Sequence, residues 1–268
     1  MISELLIFLL ILYLYASAPR INGLVHMSQF LQRSYAHRGL KDNSSNNPEN
    51  SLRAFLLAVE NGYGIELDVQ LTKDGIPVVF HDRTLERACG TAVPVKDMTL
   101  HQLKGLRLFN SDESIPTLKE ALEVINGRVP LIIELKVHQG DDLSVCEKAQ
   151  EILDDYKGLY CVESFHPFAM VWYRKNRPHI LRGQLSLDYM KERSHGLVMD
   201  FLLHNLLFNF IAKPSFIAYR HQDKKGFSIW LSKKLYRCCM VAYTVMTSEE
   251  YYKNSSFFHI QIFEGFLP

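Results

Sequence analysis

The chain has 268 residues, 47% of them hydrophobic and 22% charged, with a formal net charge of +1. That length holds one large domain or two small ones, and those fractions supply a sizeable core and exclude wholesale disorder. The near-neutral balance, without a basic stripe interleaved with aromatics, argues against a nucleic-acid-binding protein. Five cysteines (Cys89, Cys146, Cys161, Cys238 and Cys239) form no CxxC pair and no zinc-ligand spacing. An odd count of this kind reads as reduced thiols in a cytosolic compartment, not as a disulfide framework.

Residues 1–20 stand apart. Leu5 through Ala16 is an apolar run without charge, preceded by Glu4 and followed by Ser17-Ala18-Pro19-Arg20. A secretory signal would carry a basic n-region, and Pro19 disfavours cleavage after Ala16-Ser17-Ala18. Met1 and Ile2 lengthen the run toward the roughly 17 residues that suffice for a span, and Tyr13 and Tyr15 suit an interface. Arg20 and Arg33 put positive charge on the C-terminal flank. The stretch therefore predicts an uncleaved hydrophobic helix over 1–20 that anchors the rest of the chain, 33–268, on the cytoplasmic side of a membrane, with a signal peptide or a buried helix as the alternatives.

From residue 34 onward no linker or low-complexity tract divides the sequence. A polar loop, 43–48, leads to Asn50-Ser51, which opens a helix over 52–59 that Asn61-Gly62 ends. Apolar β-rich runs recur at 34–37, 65–70, 131–135, 160–164, 181–185, 216–219, 240–245 and 260–263, with helical patterns such as 117–125, 143–156 and 200–212 between them. A ninth run, 77–80, follows 65–70 too closely for a parallel crossover and reads as the return arm of a hairpin. Eight strands with intervening helices predict an α/β fold, a (β/α)8 TIM barrel, with residues 82–115 as a small insertion after the second strand. An open doubly wound sheet lacks support, because no glycine-rich turn follows the first strand.

Glu66 and Asp68, two apart on a β-branched run, share one strand face. Asp74-Gly75 reads as a two-residue type I′ turn. That turn would pair Lys73 with Ile76, Leu71 with Val78 and Asp68 with His81, setting an imidazole across from a carboxylate. On the run 131–135, Glu134 and Lys136 share a face at the end where barrel enzymes build their sites. Glu66, Asp68 and Glu134 together make an all-oxygen nest suited to a hard cation, Ca2+ or Mg2+. His37, ending the first strand, and His81 are positioned to flank a phosphodiester, with Arg38 as a fork and Lys136 as a point charge on its oxygens. Glu49 reads equally as a further ligand or as an acid stabilising the first turn of a helix.

Taken together, His37-Arg38-Gly39, Pro48-Glu49-Asn50-Ser51, Glu66-Leu67-Asp68-Val69, Thr72-Lys73-Asp74-Gly75, Val78-Val79-Phe80-His81-Asp82, Ile115-Pro116-Thr117-Leu118, Glu134-Leu135-Lys136 and Glu163-Ser164-Phe165 resemble the glycerophosphodiester phosphodiesterases. The resemblance runs in the family's order from residue 34 to the C-terminus. It implies a TIM-barrel hydrolase releasing glycerol 3-phosphate and an alcohol, with Glu66, Asp68 and Glu134 as metal ligands and Glu49 close to them. It further implies His37 and His81 as the acid–base pair, and Arg38 and Lys136 as substrate contacts. Two places depart from the family's pattern: Tyr243 stands where a tryptophan is usual, and Ile262-Phe263-Glu264-Gly265-Phe266 replaces an acidic, threonine-bearing close. Two other readings remain. With the anchor, the substrate would be a lysophospholipid, and Leu203, Leu206, Leu207, Phe208 and Phe210 would be a lipid-contacting face or else a buried outer helix. A non-catalytic barrel scaffold is disfavoured, because a retired site has no reason to keep three clustered acids.

Overall fold

The computed structural model describes residues 2–138 and 140–268. Nine strands form one sheet: β1 (Tyr35–His37), β2 (Gly64–Leu71), β3 (Pro77–Val79), β4 (Leu131–Leu135), β5 (Tyr160–Ser164), β6 (Arg182–Ser186), β7 (Phe216–Arg220), β8 (Cys239–Val245) and β9 (Ile260–Phe263). All but β3 run parallel, and β1 pairs with both β2 and β9, so the ring closes as the predicted eight-stranded barrel. β2 continues past the end of β1, and its freed edge at Val69–Leu71 is taken by antiparallel β3.

Alternation along the strands builds two cores. Ile65, Leu67 and Val69 of β2 and Leu131, Ile133 and Leu135 of β4 pack outward against helix residues such as Phe55, Leu118 and Val145. Tyr35, Ile132, Cys161, Phe216, Cys239 and Ile262 fill the barrel, with Met27 and Phe30 packed against them. Two positions are glycine because the rings take the room: a Cβ on Gly64 would lie 2.6 Å from Tyr35, and one on Gly183 would lie 2.1 Å from Phe216. Two residues further along the same faces come His37, Glu134 and Glu163. The apolar filling thus ends where the acids begin, at the C-terminal rim.

The helices start where their caps dictate. Ser51 accepts from the Ala54 N–H at the head of Leu52–Glu60, and Thr117 with Glu120 forms a capping box on Leu118–Ile125. Between β3 and that second helix, residues 82–115 form the expected insertion. Its own small core holds Val78, Phe80, Leu85, Val95, Leu103 and Ile115.

Three expectations are corrected. The hairpin register is Leu71↔Pro77, Gln70↔Val78 and Val69↔Val79, one residue off the expected one. Thr72 causes the slip: its N–H donates to Ile76 O, and its hydroxyl accepts from the Ile76 N–H, making the connection longer than two residues. Asp68 consequently faces Phe80, whose N–H donates to Asp68 O at 3.0 Å. The stretch 200–212 is not one helix but Leu197–His204 and Asn209–Ala212, broken where Leu206 turns to φ 56° and buries itself.

The third correction concerns the N-terminus. The apolar run does form a helix, Ile2–Ser17, but 16 residues at ~1.5 Å each reach about 24 Å, short of a hydrocarbon layer of about 30 Å. Among the described residues no helix is long and apolar enough to cross a membrane. Its end is fastened to the barrel instead: Tyr13 Oη donates to Asn205, Tyr236 Oη donates to Leu14 O, and Asn209 Nδ2 donates to Ser17 O. The membrane anchor over 1–20, the membrane contact it would make and the cytoplasmic orientation read from its flanks are therefore withdrawn. Met1 lies outside the described residues.

Candidate active site

Strand register assembles the acids. β1 sets His37 beside Glu66, β2 sets Asp68 beside Glu134, and β4 sets Glu134 beside Glu163. Oxygens of Glu66, Asp68 and Glu134 lie within 4.8 Å of one another, and all three residues are buried. Burial, then the charges of Asp68 and Glu134, push the Glu66 carboxyl well above the usual range. Burial raises Glu134 as well, against the opposing pull of Lys136. Burial acts on Asp68 in the same sense, but Lys136, His81 and Arg38 outweigh it and hold that carboxyl well below its ordinary value.

Lys136 extends just past β4, with Nζ 2.8 Å from both Asp68 Oδ1 and Glu134 Oε1. Arg38 has φ 60° in the turn after β1. Its Nη1 donates to Glu49 at 2.7 Å, its Nε lies 3.3 Å from Asp68, and its backbone N–H donates to Glu66 Oε2 at 3.0 Å. Glu49 lies outside the group of three. It accepts from Arg38, Lys41, Asn43 and Arg87, and despite burial these partners hold its carboxyl far below its usual range.

Both histidines sit at the rim, each with a carboxylate on Nδ1. His37 Nδ1 lies 2.6 Å from Glu264 Oε2, while its Nε2 lies 3.9 Å from Glu66. Burial, with help from Arg38 and Lys41, lowers the His37 pKa to about 4 against the pull of Glu264. At neutral pH the ring is therefore neutral. Its Nδ1–H donates a hydrogen bond to Glu264, and Nε2 is left as an acceptor facing the acids. Glu264, bonded to His37 and near Lys41, falls to about 2 although burial opposes this. His81 Nδ1 lies 2.6 Å from Asp82 Oδ1. Arg87 grips Asp82 at 2.7 and 3.1 Å and Glu49 at 2.6 and 3.1 Å, tying the second histidine to the far side of the site.

Several contributors escaped sequence reasoning. Glu264 was noted only as a departure, and Arg87 lies in the insertion without periodicity. Asn50 has φ 56° and donates Nδ2 to Asp68 Oδ2 at 2.8 Å. Glu163 is a fourth buried acid, its Oε2 without a hydrogen-bond partner among the described residues. Burial, then Glu66 and Glu134, raise its pKa. One signal was available for Glu264 and Glu163: both end a barrel strand on its C-terminal side.

A closed (β/α)8 barrel with a rim of acids, two carboxylate-bound histidines and fixed guanidinium groups defines a hydrolase-type site. The sequence pattern of the Glycerophosphoryl diester phosphodiesterase family matches residues 37–252, and the chain belongs to that family and is a phosphodiesterase. A glycerophosphodiester phosphodiesterase of Caldanaerobacter subterraneus subsp. tengcongensis is 36% identical over 189 residues, covering 66% of this chain and 76% of that protein. Human glycerophosphodiester phosphodiesterase 1 is 30% identical over 258 residues, 82% of this chain and 74% of that protein. Among solved structures, an Oleispira antarctica phosphodiesterase in complex with the product sn-glycerol-3-phosphate superposes with a TM-score of 0.72 at 26% identity, covering 88% of this chain and 94% of that one.

Proposed function

We propose that this protein hydrolyses glycerophosphodiesters to glycerol 3-phosphate and an alcohol, using a divalent cation, Ca2+ or Mg2+, held by Glu66, Asp68 and Glu134. The observation that carries the reading is the buried acid triad flanked by two histidines, each bound at Nδ1 by a carboxylate. The donor set fits such an ion. It is all oxygen, with no thiolate or imidazole in the group, and the repulsion that raises Glu66 is relieved by positive charge.

When bound, the cation supplies Lewis-acid polarisation of a phosphate oxygen and neutralises charge. The chain's own groups do the rest. Arg38 and Lys136 offset the remaining phosphate charge, and both are already pinned by acids, so little is lost in reorganising them. His37, neutral, takes the proton of the attacking water, or of the substrate's own glycerol hydroxyl, in which case a water then opens the cyclic phosphate to glycerol 3-phosphate. Glu264 stabilises the imidazolium that forms. His81, held by Asp82 and Arg87, gives a proton to the departing alkoxide. Each proton transfer contributes about 10²–10⁴-fold.

The test is release of glycerol 3-phosphate with and without EDTA, followed by added Ca2+ or Mg2+. The expected result is activity that is lost on chelation and restored by one of the ions. His37→Ala and His81→Ala should each lower turnover by about 10²–10⁴-fold while cation binding persists. Chelator-resistant turnover would overturn the cofactor assignment, and a near-native histidine variant would overturn that residue's role.

A further inference from the structure

Beside the acids, at the same end of the barrel, lies a cavity of about 580 Å³ whose walls include Phe165, Phe168, Leu187, Met199, Leu203 and Phe208. That volume falls within the range of small-molecule sites. The loop after β5 contributes Phe165, the helix Pro167–Asn176 that follows contributes Phe168, and residues 187–208, between β6 and β7, contribute the rest. Phe168 meets Phe208 edge-on at 6.0 Å, and Phe165 meets Tyr243 in the same way at 6.0 Å. These rings brace one another around a void instead of closing it. Phe168 stays 47% exposed and Met199 39% exposed, an arrangement that burying an apolar guest would improve.

The cavity adjoins the reaction site. A narrower cleft lined by His81, Glu134, Lys136 and Ser164 shares Val137, His138 and Phe165 with it. Among the described residues His37 lines neither space, so the apolar room opens on the His81 side. Phe165, Phe168, Leu187 and Met199 give the cavity an apolar side that suits a carbon chain or ring, and His166, Glu192, Ser194 and His195 also line it.

We infer that this cavity receives the leaving alcohol and that the alcohol carries an apolar chain or ring next to the phosphate ester. The inference rests on the diesterase reading and on His81 as the group that protonates the departing oxygen. Selectivity then comes from burial on the leaving side, while glycerol phosphate is held by the polar rim.

The experiment uses the full chain and a series of sn-glycerol 3-phospho-n-alkyl esters from ethyl to octyl, beside 1-O-octyl-glycerol 3-phosphoethyl ester, which carries its chain on the glycerol. We expect kcat/KM to rise about two- to fourfold with each methylene added to the alcohol, until the cavity is full. We further expect Phe168→Asn with Met199→Asn to collapse the octyl-to-ethyl ratio of kcat/KM toward one. Both positions are substantially exposed, so the fold tolerates the changes. A flat series in which the ethyl ester is still cleaved overturns the inference and leaves the diesterase reading standing. A gain seen only with the chain on the glycerol overturns the assignment to the leaving side. Failure to cleave any of the esters defeats the diesterase reading and this inference together.

Discussion

Glu264 holds the Nδ1 proton of His37, and Asp82 does the same for His81, so each ring's orientation and tautomer are decided by a neighbour. Glu264→Gln keeps an acceptor oxygen for that proton but removes the charge that stabilises the imidazolium. The expected outcome is a fall in kcat of about 10–100-fold with KM little changed, measured by steady-state kinetics. Asp82→Asn should behave alike, with Arg87 then left holding one acid instead of two. A parallel loss of folding stability with no split between kcat and KM would mean the two carboxylates are merely structural. The acid triad was legible in the sequence because strand alternation puts Glu66 and Asp68 on one face and Glu134 near the same end of its own strand, and the β2–β4 register sets Glu134 beside Asp68. The partnership of Glu264 with His37 was not legible: the two lie 227 positions apart, and only the pairing of β9 with β1 brings them together.

At the level of elements, the same contrast separates what short-range chemistry dictates from what it does not. Helix starts followed from caps, and Ser51 is the clearest. Its buried hydroxyl accepts from the Ala54 N–H at 3.1 Å, so Ser51→Ala should lower stability by about 1 kcal/mol in a denaturant titration. It should also loosen the preceding turn, where Asn50 reaches Asp68. The hairpin misled because Asp74-Gly75 carries a strong turn signature that Thr72 overrides with its own side chain. The error did not dislodge His81, since β3 ends at Val79 and His81 lies beyond strand alternation. The apolar pattern over 200–212 gave no sign of its break at Leu206, whose backbone turns to φ 56° as its side chain is buried. Gly183 was likewise silent in the sequence. With Phe216 leaning over it, Gly183→Ala should cost about 1–3 kcal/mol through overpacking, read as a drop in the unfolding midpoint.

At the scale of the whole molecule, closing eight strands into a ring drives carboxylates from several strands into one low-dielectric space above the apolar filling. Lys136 and Arg38 neutralise part of that charge, but Glu66 is left with a carboxyl that burial and its neighbours push toward the protonated form. Folding without an ion therefore works against Glu66, and an ion bound only by the folded chain should stabilise it. At a concentration a hundred times its dissociation constant, the gain is about 2.7 kcal/mol. For a chain of this size that is roughly 5–10 °C in Tm. Glu66→Gln mimics the neutral carboxyl and keeps an oxygen to accept from the Arg38 N–H. Its Tm in EDTA should equal or exceed that of the wild type, whereas the rise on adding Ca2+ or Mg2+ should vanish. Differential scanning calorimetry of the two proteins, each with chelator and with each ion, checks both signs at once. A variant less stable in EDTA yet still stabilised by the ion would show that Glu66 supports the fold and does not hold the cation.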